Sequence, residues 1–298
     1  MTAEPAPLRP DTHGEVTVPG DRWRSLRRGI TYAVLIGYAL LMLVPFAWQV
    51  ITSFKTDPDA LRLTIIPDPF TLQGWEKGFL TLNPPIPQLF LNSVIVAAAV
   101  TISNLVLAST AGYAFARLRF PGREILFLAI LGTLMIPDQL RFVPVYLIER
   151  QLGLITRQPI NYLGVVLILA IEAQQLFLMR QYFLSIPRDL EEAAKIDGAG
   201  FFTTFLRVML PLAGPALAAV SILAFQGAWN GFFWPLLILQ DQSHWTLPLG
   251  LFQFTQEFLS FWPALMSVTI AAILPILVIY LFFQRYFVAS VAQSGVKG

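Results

Sequence analysis

Eighteen carboxylates, two histidines and no cysteine are the chain's main acid–base, thiol and metal-binding resources. The lack of cysteine removes disulfides, thiolate metal sites and a cysteine nucleophile together. His13 and His244 lie far apart and neither has a neighbour at ligand spacing, so no metal site is expected, and no nucleophile–base pairing is visible. A G-x-x-x-x-G-K-[ST] run, whose backbone amides cradle phosphates, is also missing, so the chain is not expected to hydrolyse ATP. What remains is the chemistry of binding. Glu172, with Gln174 and Gln175 beside it, sits in an otherwise apolar stretch. A charge in hydrocarbon costs about 3 kcal/mol or more, so it should face a partner helix or a wet cavity. Two readings follow for Glu172: a residue of a solute pathway, or a carboxyl that braces helix packing. Trp229, Asn230 and Trp234 lie near the outer end of another apolar stretch, and Gln226 and Asn230, four apart, share one helical face. Indoles beside amides suit sugar rings, whose C–H faces pack on aromatics while their hydroxyls take hydrogen bonds. Trp234 serves equally as an interfacial anchor. Asp138 and Arg141, three apart beyond a proline, are spaced for a local ion pair, and His244 reads as a solvated loop residue.

The elements that must position these groups are membrane helices. Hydrophobic residues make up 56% of the 298, charged residues 13%, and mean hydropathy is +0.64, too apolar for a soluble domain of that length. A helix needs about 20 apolar residues to cross a hydrocarbon core. That ruler predicts an all-α polytopic membrane protein with six transmembrane helices near 30–51, 88–110, 124–140, 161–180, 211–239 and 263–284. The first is too long, too far from the N-terminus and too poor in cleavage signals to be a removed leader. The third is interrupted at Pro137–Asp138, which reads as a broken or re-entrant helix. Residues 1–20 read as a disordered tail, rich in proline and without apolar periodicity. The proline-rich segment 52–87 reads as a loop with short elements.

Six spans place both termini on one side, and the basic residues say which. Arg9, Arg22, Arg24, Arg27, Arg28, Arg117, Arg119, Arg123, Arg180, Arg188, Lys195, Arg207, Arg285 and Lys297 fall on one side; Lys55, Arg62, Lys77, Arg141, Arg150 and Arg157 fall on the other. By the positive-inside rule the N and C termini and the 181–210 loop are cytoplasmic. No basic patch suggests nucleic acid. Arg117, Arg119 and Arg123 read as lipid-headgroup anchors and topology determinants, with contact to a cytoplasmic partner as the alternative.

The loop is the most informative part of the chain: EAAKIDGAGFFTTFLRVMLP, at 192–211, is polar and glycine-containing between two apolar stretches. Pro187 stands where a first helical turn would start, and Asp189, Glu191 and Glu192 follow where the macrodipole favours anions. The pattern predicts a helix over 188–196 capped by Gly198, a second short helix over 201–209, and Pro211 at the start of the fifth span. A solvated connector and a docking surface are both compatible with this composition.

The segment resembles the EAA loop of ABC importer permeases, with Glu192, Ala193, Ala194, Gly198, Leu210 and Pro211 at the family's fixed positions and Val208 for isoleucine. AGYAFARLRFPGR at 111–123, AWNGFFWPL at 228–236, WTLPLGL at 245–251 and QRYFVASVAQSGVKG at 284–298 resemble the carbohydrate-uptake branch, in particular the G-type inner-membrane subunit of maltose-like systems. The resemblance implies a type I ABC importer permease fold in a bacterial-type inner membrane. It implies a permease domain over 21–298, with an importer core at about 85–284, a coupling loop at 187–211 and a C-terminal cytoplasmic tail at 285–298. By resemblance Glu192, Ala193, Ala194, Asp197 and Gly198 contact or brace a cytoplasmic ATPase. Segment 240–262, which has no lysine or arginine and carries Gln242, Trp245, Phe252 and Gln253, corresponds to the loop that meets an extracytoplasmic solute-binding protein. The implied partners are a second homologous permease, two ATPase subunits holding ATP and Mg, the binding protein and membrane lipid. This chain itself holds no cofactor in that scheme. The alternative, an ion-coupled secondary transporter, wants paired intramembrane carboxylates and inverted repeats, and the sequence displays one carboxylate and no clear repeat.

Overall fold

The structure, a computed structural model, describes residues 21–155, 161–257 and 261–294. The expected tail at 1–20, together with Arg157 and Lys297, lies outside them. Two units are distinguished, 1–48 and 49–298. The first consists, in its described part, of most of helix α1 (Asp21–Ser53), whose apolar run from Leu26 to Ser53 is 28 residues long. At 1.5 Å per residue it is about 40 Å long, enough to cross a bilayer core.

The second unit is built of helices, with no strand among its described residues. A short α2 (Gln73–Leu80) lies in the proline-rich segment, followed by α3 (Ile86–Arg117), α4 (Arg123–Gly132), α5 (Asp138–Gln151), α6 (Asn161–Ile168), α7 (Ala173–Ser185), α8 (Asp189–Ile196), α9 (Phe201–Thr204), α10 (Leu210–Leu212), α11 (Gly214–Trp229), α12 (Phe233–Ile238), α13 (Leu247–Glu257) and α14 (Trp262–Ser294). Helix α14 continues unbroken from the sixth apolar stretch into the segment expected to be a tail.

Helix α3 is the axis. Small residues let α7 and α11 approach it closely, as in other membrane bundles. At Gly112 a Cβ would sit 2.7 Å from that of Met179, so only glycine fits the α3–α7 crossing. Ala97, Ala108 and Ala116 on α3, and Ala216, Ala224 and Ala228 on α11, are buried. One apolar core joins the N-terminal half of α3 to α6, α12, α13, α14 and the end of α11. A second joins its C-terminal half to α7, the 201–213 segment and the start of α11. Beyond the first core, α2 lies against α14, with Ser267 Oγ donating to the Gly74 carbonyl at 3.0 Å.

Three of the expected spans are bent rather than straight. Helices α4 and α5 meet at 107°, where Pro137 removes an N–H and holds Ile136 extended. The interruption expected at Pro137–Asp138 is therefore present. The fourth span, expected as one helix, is broken between α6 and α7, which meet at 51°. Its cause is out of reach of local reading. Asn104 of α3, 1% exposed, donates to the Leu169 carbonyl at 2.6 Å and accepts from the Glu172 amide at 3.2 Å. The freed backbone groups of the break are thus taken up by a side chain 65 residues away.

The fifth span also departs from expectation. Pro211 does not open it: α9 runs through a π-helical turn at Phe205–Met209 into α10, and Pro211 lies inside that run. Lacking an N–H, Pro211 cannot bond the carbonyl of Arg207, and the preceding turn widens, with the Leu210 amide reaching back to Phe205. The chain bends by 77° at Ala213, and α11 starts at Gly214–Pro215. It ends at Trp229 rather than near 239, with α12 separate beyond Gly231.

Replacing Asn104 by leucine, which matches its size, strips partners from two backbone groups at the α6–α7 break. The expected cost is about 2 kcal/mol or more, read as a lower midpoint for thermal unfolding of the detergent-solubilised protein; an unchanged midpoint would contradict the clamp.

Candidate functional site

The loop after α7 is a shaped surface. Pro187 and Arg188 lead into α8, whose first turn holds Asp189, Glu191 and Glu192 at the positive end of the helix dipole. Gly198 adopts φ +81°. Its amide bonds Lys195 at 3.0 Å and the Ala199 amide bonds Ala194 at 2.9 Å, the paired bonds of a glycine-terminated helix. Helix α8 therefore begins and ends as its residues dictate. Its outer face is exposed at Glu192, Ala193, Lys195 and Asp197, while Ile196 is 87% and Phe202 beyond it 75% exposed. Two bare apolar side chains ringed by charge make a surface suited to a protein partner.

The inner side of α8 is locked. Glu191, not Glu192, turns inward and meets Arg117 at the end of α3, with Oε1 3.1 Å from Nε. The two side chains are only 12% and 4% exposed. Arg117 also donates to the Ile186 carbonyl just before the loop. The reading of Arg117 as a headgroup anchor is corrected: its charge is spent inside the protein. Around it, the Tyr113 ring packs against Phe183, Phe201 and Phe205 with centroids 5.0 to 5.4 Å apart. Arg123 is engaged too, donating to Glu124 at 2.7 Å and to the Leu118 carbonyl at 3.0 Å, whereas Arg119 is exposed. Arg180 lies over the Phe127 ring at 4.0 Å and pairs with Glu124 at 3.3 Å. Sequence reasoning missed Glu191 and the buried role of Arg117. The signal available was that Glu191 and Glu192 are adjacent, about 100° apart around a helix, so both cannot face the same way.

Glu172 stands within the fourth span, at its break. It is the residue preceding α7, at the α6–α7 break, and it borders a concavity of about 360 Å³ that Asp138, Arg141, Thr133 and Trp234 also line. Arg141 donates to Asp138, so the expected ion pair is formed. Trp234, 7% exposed, is held edge-on by Phe142 at 5.0 Å.

Gln226 and Asn230 do share an exposed face of α11. Trp229 does not join them. It is 2% exposed, stacked on Phe225 at 5.7 Å, edge-on to Phe90 at 5.3 Å, with its indole N–H donated to the Ala272 carbonyl at 3.0 Å. It ties α11 to α3 and α14, and the expectation that it offers a face to a sugar is corrected.

Gln242, Trp245, Phe252 and Gln253 come together around one shallow concavity of about 250 Å³. The segment carrying them is pinned to the start of α3. Gln88 and Asn92 each donate to the Ser243 carbonyl at 2.9 Å, Asn92 also to that of Trp245, and Ser93 accepts from the Leu247 amide at 2.6 Å. His244 is part of this arrangement rather than a free loop residue: its ring packs on Tyr162 at 5.2 Å and Nδ1 lies 2.9 Å from Ser243 Oγ. Among the described residues no three acidic or histidine side chains converge as a metal site.

Known proteins share this architecture. A family model described as "Binding-protein-dependent transport system inner membrane component" matches residues 104–293. The arabinooligosaccharides transport system permease protein AraQ of Halalkalibacterium halodurans is 33% identical over 90% of this chain and 97% of its own length. The diacetylchitobiose uptake system permease protein NgcG of Streptomyces coelicolor is 34% identical over 89% and 87%. The sn-glycerol-3-phosphate transport system permease protein UgpE of Yersinia pestis is 32% identical over 90% and 98%. In fold, the chain superposes on a bacterial ABC transporter involved in the import of the acidic polysaccharide alginate with a TM-score of 0.74, at 24% identity, covering 91% of this chain and 98% of that one. With the family model spanning most of the chain and relatives matching along nearly all of it, the protein belongs to the family of binding-protein-dependent transport system inner membrane components.

Proposed function

We propose that the chain is the permease subunit of an ATP-driven sugar importer, forming half of the translocation pathway and taking its drive from cytoplasmic ATPase subunits through the 187–211 loop. The observation that carries this reading is the two-sided character of α8. Its outer face is bare, at Ile196 above all, and its inner face is fastened to the central helix by a buried ion pair. A surface loop with no partner has no need of both. The basic-residue distribution puts this face in the cytoplasm. Relatives named for arabinooligosaccharides and diacetylchitobiose support a sugar as the cargo, and the glycerol phosphate relative marks the breadth of the group.

In this mechanism ATP is bound and hydrolysed in the partner ATPase, because the chain lacks a phosphate-binding loop. Closure of two ATPase subunits displaces α8, and Glu191 passes the displacement to Arg117 and so to α3, along which α7 and α11 pack. A second, homologous permease completes the pathway, and the open face of α11 with Gln226 and Asn230 is available to it or to the solute. An extracytoplasmic solute-binding protein delivers the cargo to the concavity of Gln242, Trp245, Phe252 and Gln253. Lipid surrounds the core at 85–284, and both ends of the chain are on the cytoplasmic side by the positive-inside rule.

Substitution at the outer face separates docking from folding. Ile196→Glu and the charge reversal Glu192→Arg should each shift permease stability by no more than about 0.5 kcal/mol, as exposed sites do. Both should abolish co-purification of the ATPase and ATP-dependent uptake in proteoliposomes; wild-type uptake in either would count against the docking role. Substitution at the inner face behaves differently. Arg117→Met or Glu191→Gln leaves one partner of the buried pair uncompensated and should cost about 3 kcal/mol, whereas the double variant should cost less than the sum. With the ATPase still bound, the single variants should show fewer solutes moved per ATP hydrolysed; an undiminished ratio would remove the pair from the drive.

A further inference from the structure

Two helix breaks meet at one place in this fold. The α4–α5 bend at Ile136–Pro137 and the α6–α7 break ahead of Glu172 border the same concavity of about 360 Å³. Irregular backbone at membrane depth is tolerated where it is covered by protein or lines a wet cavity. Here it lines the cavity, and the cavity's charged side chains are those that hydrocarbon would reject. Asp138 and Arg141 pair with each other, leaving Glu172 as the uncompensated carboxylate of the lining. Thr133 adds a hydroxyl, and Trp234 adds an indole already fixed by Phe142.

We infer that this concavity is a solute subsite that accepts one ring of an uncharged sugar and disfavours anionic solutes. The inference rests on the importer reading and narrows its substrate class. Its size falls in the range of small-molecule sites and suits a single ring rather than an oligomer. Carboxylates and a guanidinium offer acceptors and donors in fixed planes, which pairs of neighbouring ring hydroxyls satisfy without any charge on the solute. The open apolar part of the lining is Leu134, Ile136 and Ile171, against which the C–H face of a ring packs, while the buried Trp234 only borders it. Two carboxylates against one guanidinium give the lining a net negative charge, which repels a phosphate or uronate brought beside Glu172, with screening by water where Asp138 and Arg141 are open to solvent. Glu172 is in this account a specificity residue of the pathway. Its backbone amide is held by Asn104, which fixes where the carboxylate stands.

The test uses the assembled importer with its ATPase, second permease and binding protein in proteoliposomes, given radiolabelled arabinotriose, diacetylchitobiose, maltose and glycerol 3-phosphate as probes. The expected result is ATP-dependent uptake of a neutral probe in preference to glycerol 3-phosphate. In Glu172→Gln and, as a second variant, Arg141→Gln, uptake of that neutral probe should fall about tenfold while hydrolysis stimulated by the loaded binding protein persists. Preference for glycerol 3-phosphate, or uptake of no neutral probe, overturns the inference. So does uptake unchanged in both variants, or a fall in uptake matched by an equal fall in hydrolysis, which would mark a structural role. Uptake of the neutral probe that needs no ATP in the wild type would instead overturn the importer reading, and this inference with it.

Discussion

The ion pair between Arg117 and Glu191 is the interaction on which the proposed coupling architecture depends. Bringing two charges out of water is costly, and a pair repays this only with good geometry and further hydrogen bonds. Here the N–O separation is 3.1 Å without the alignment of a hydrogen bond between those two atoms, and the guanidinium donates instead to the Ile186 carbonyl, so one cation holds the helix by charge and the chain leading into it by a hydrogen bond. The contrast with other pairs in the molecule is informative. Arg123–Glu124 and Asp138–Arg141 are partly open to solvent, where such contacts contribute about 0 to 1 kcal/mol. Among the described residues, the Arg117–Glu191 pair alone is at once shielded and placed between a surface helix and the central helix of the fold.

Helix α3 connects the proposed docking helix to the proposed solute concavity. Arg117 at its end holds α8, and Asn104, 13 residues earlier and so about 20 Å away, holds the α6–α7 break beside Glu172. Gly112 lies between them at the close crossing with α7. A displacement of α8 thus has a stiff, well-packed route to the backbone that lines the concavity. Packed cores switch between arrangements rather than deform smoothly, which makes such a route suited to alternating states.

Much of this was legible in the residues. The helical class, the apolar stretches, the interruption at Pro137 and the glycine-capped helix at 189–196 follow from periodicity, proline chemistry and helix capping, all of which are local. What escaped was whatever depended on a partner far along the chain. The break before Glu172 depends on Asn104, so an apolar run over 161–180 looked continuous. A tryptophan near polar residues suits sugars, but which side of α11 Trp229 takes is decided by Phe90 and Ala272 on other helices. Arg117 looked like an anchor because the run of arginines in which it stands usually meets headgroups; its inward turn becomes visible only once Glu191 is across from it. The π turn around 205–209 is an intermediate case, since Pro211 signals a disturbance without saying whether the helix stops or widens.

The chain's lack of cysteine makes the central claim directly measurable. With Ile196→Cys as the sole thiol, labelling by a membrane-impermeant maleimide can be followed in inside-out membrane vesicles with and without the ATPase subunits. The account predicts rapid labelling in their absence, from the cytoplasmic side alone, and strong protection once they are bound. Labelling from the opposite side, or a rate that the ATPase leaves unchanged, would contradict it.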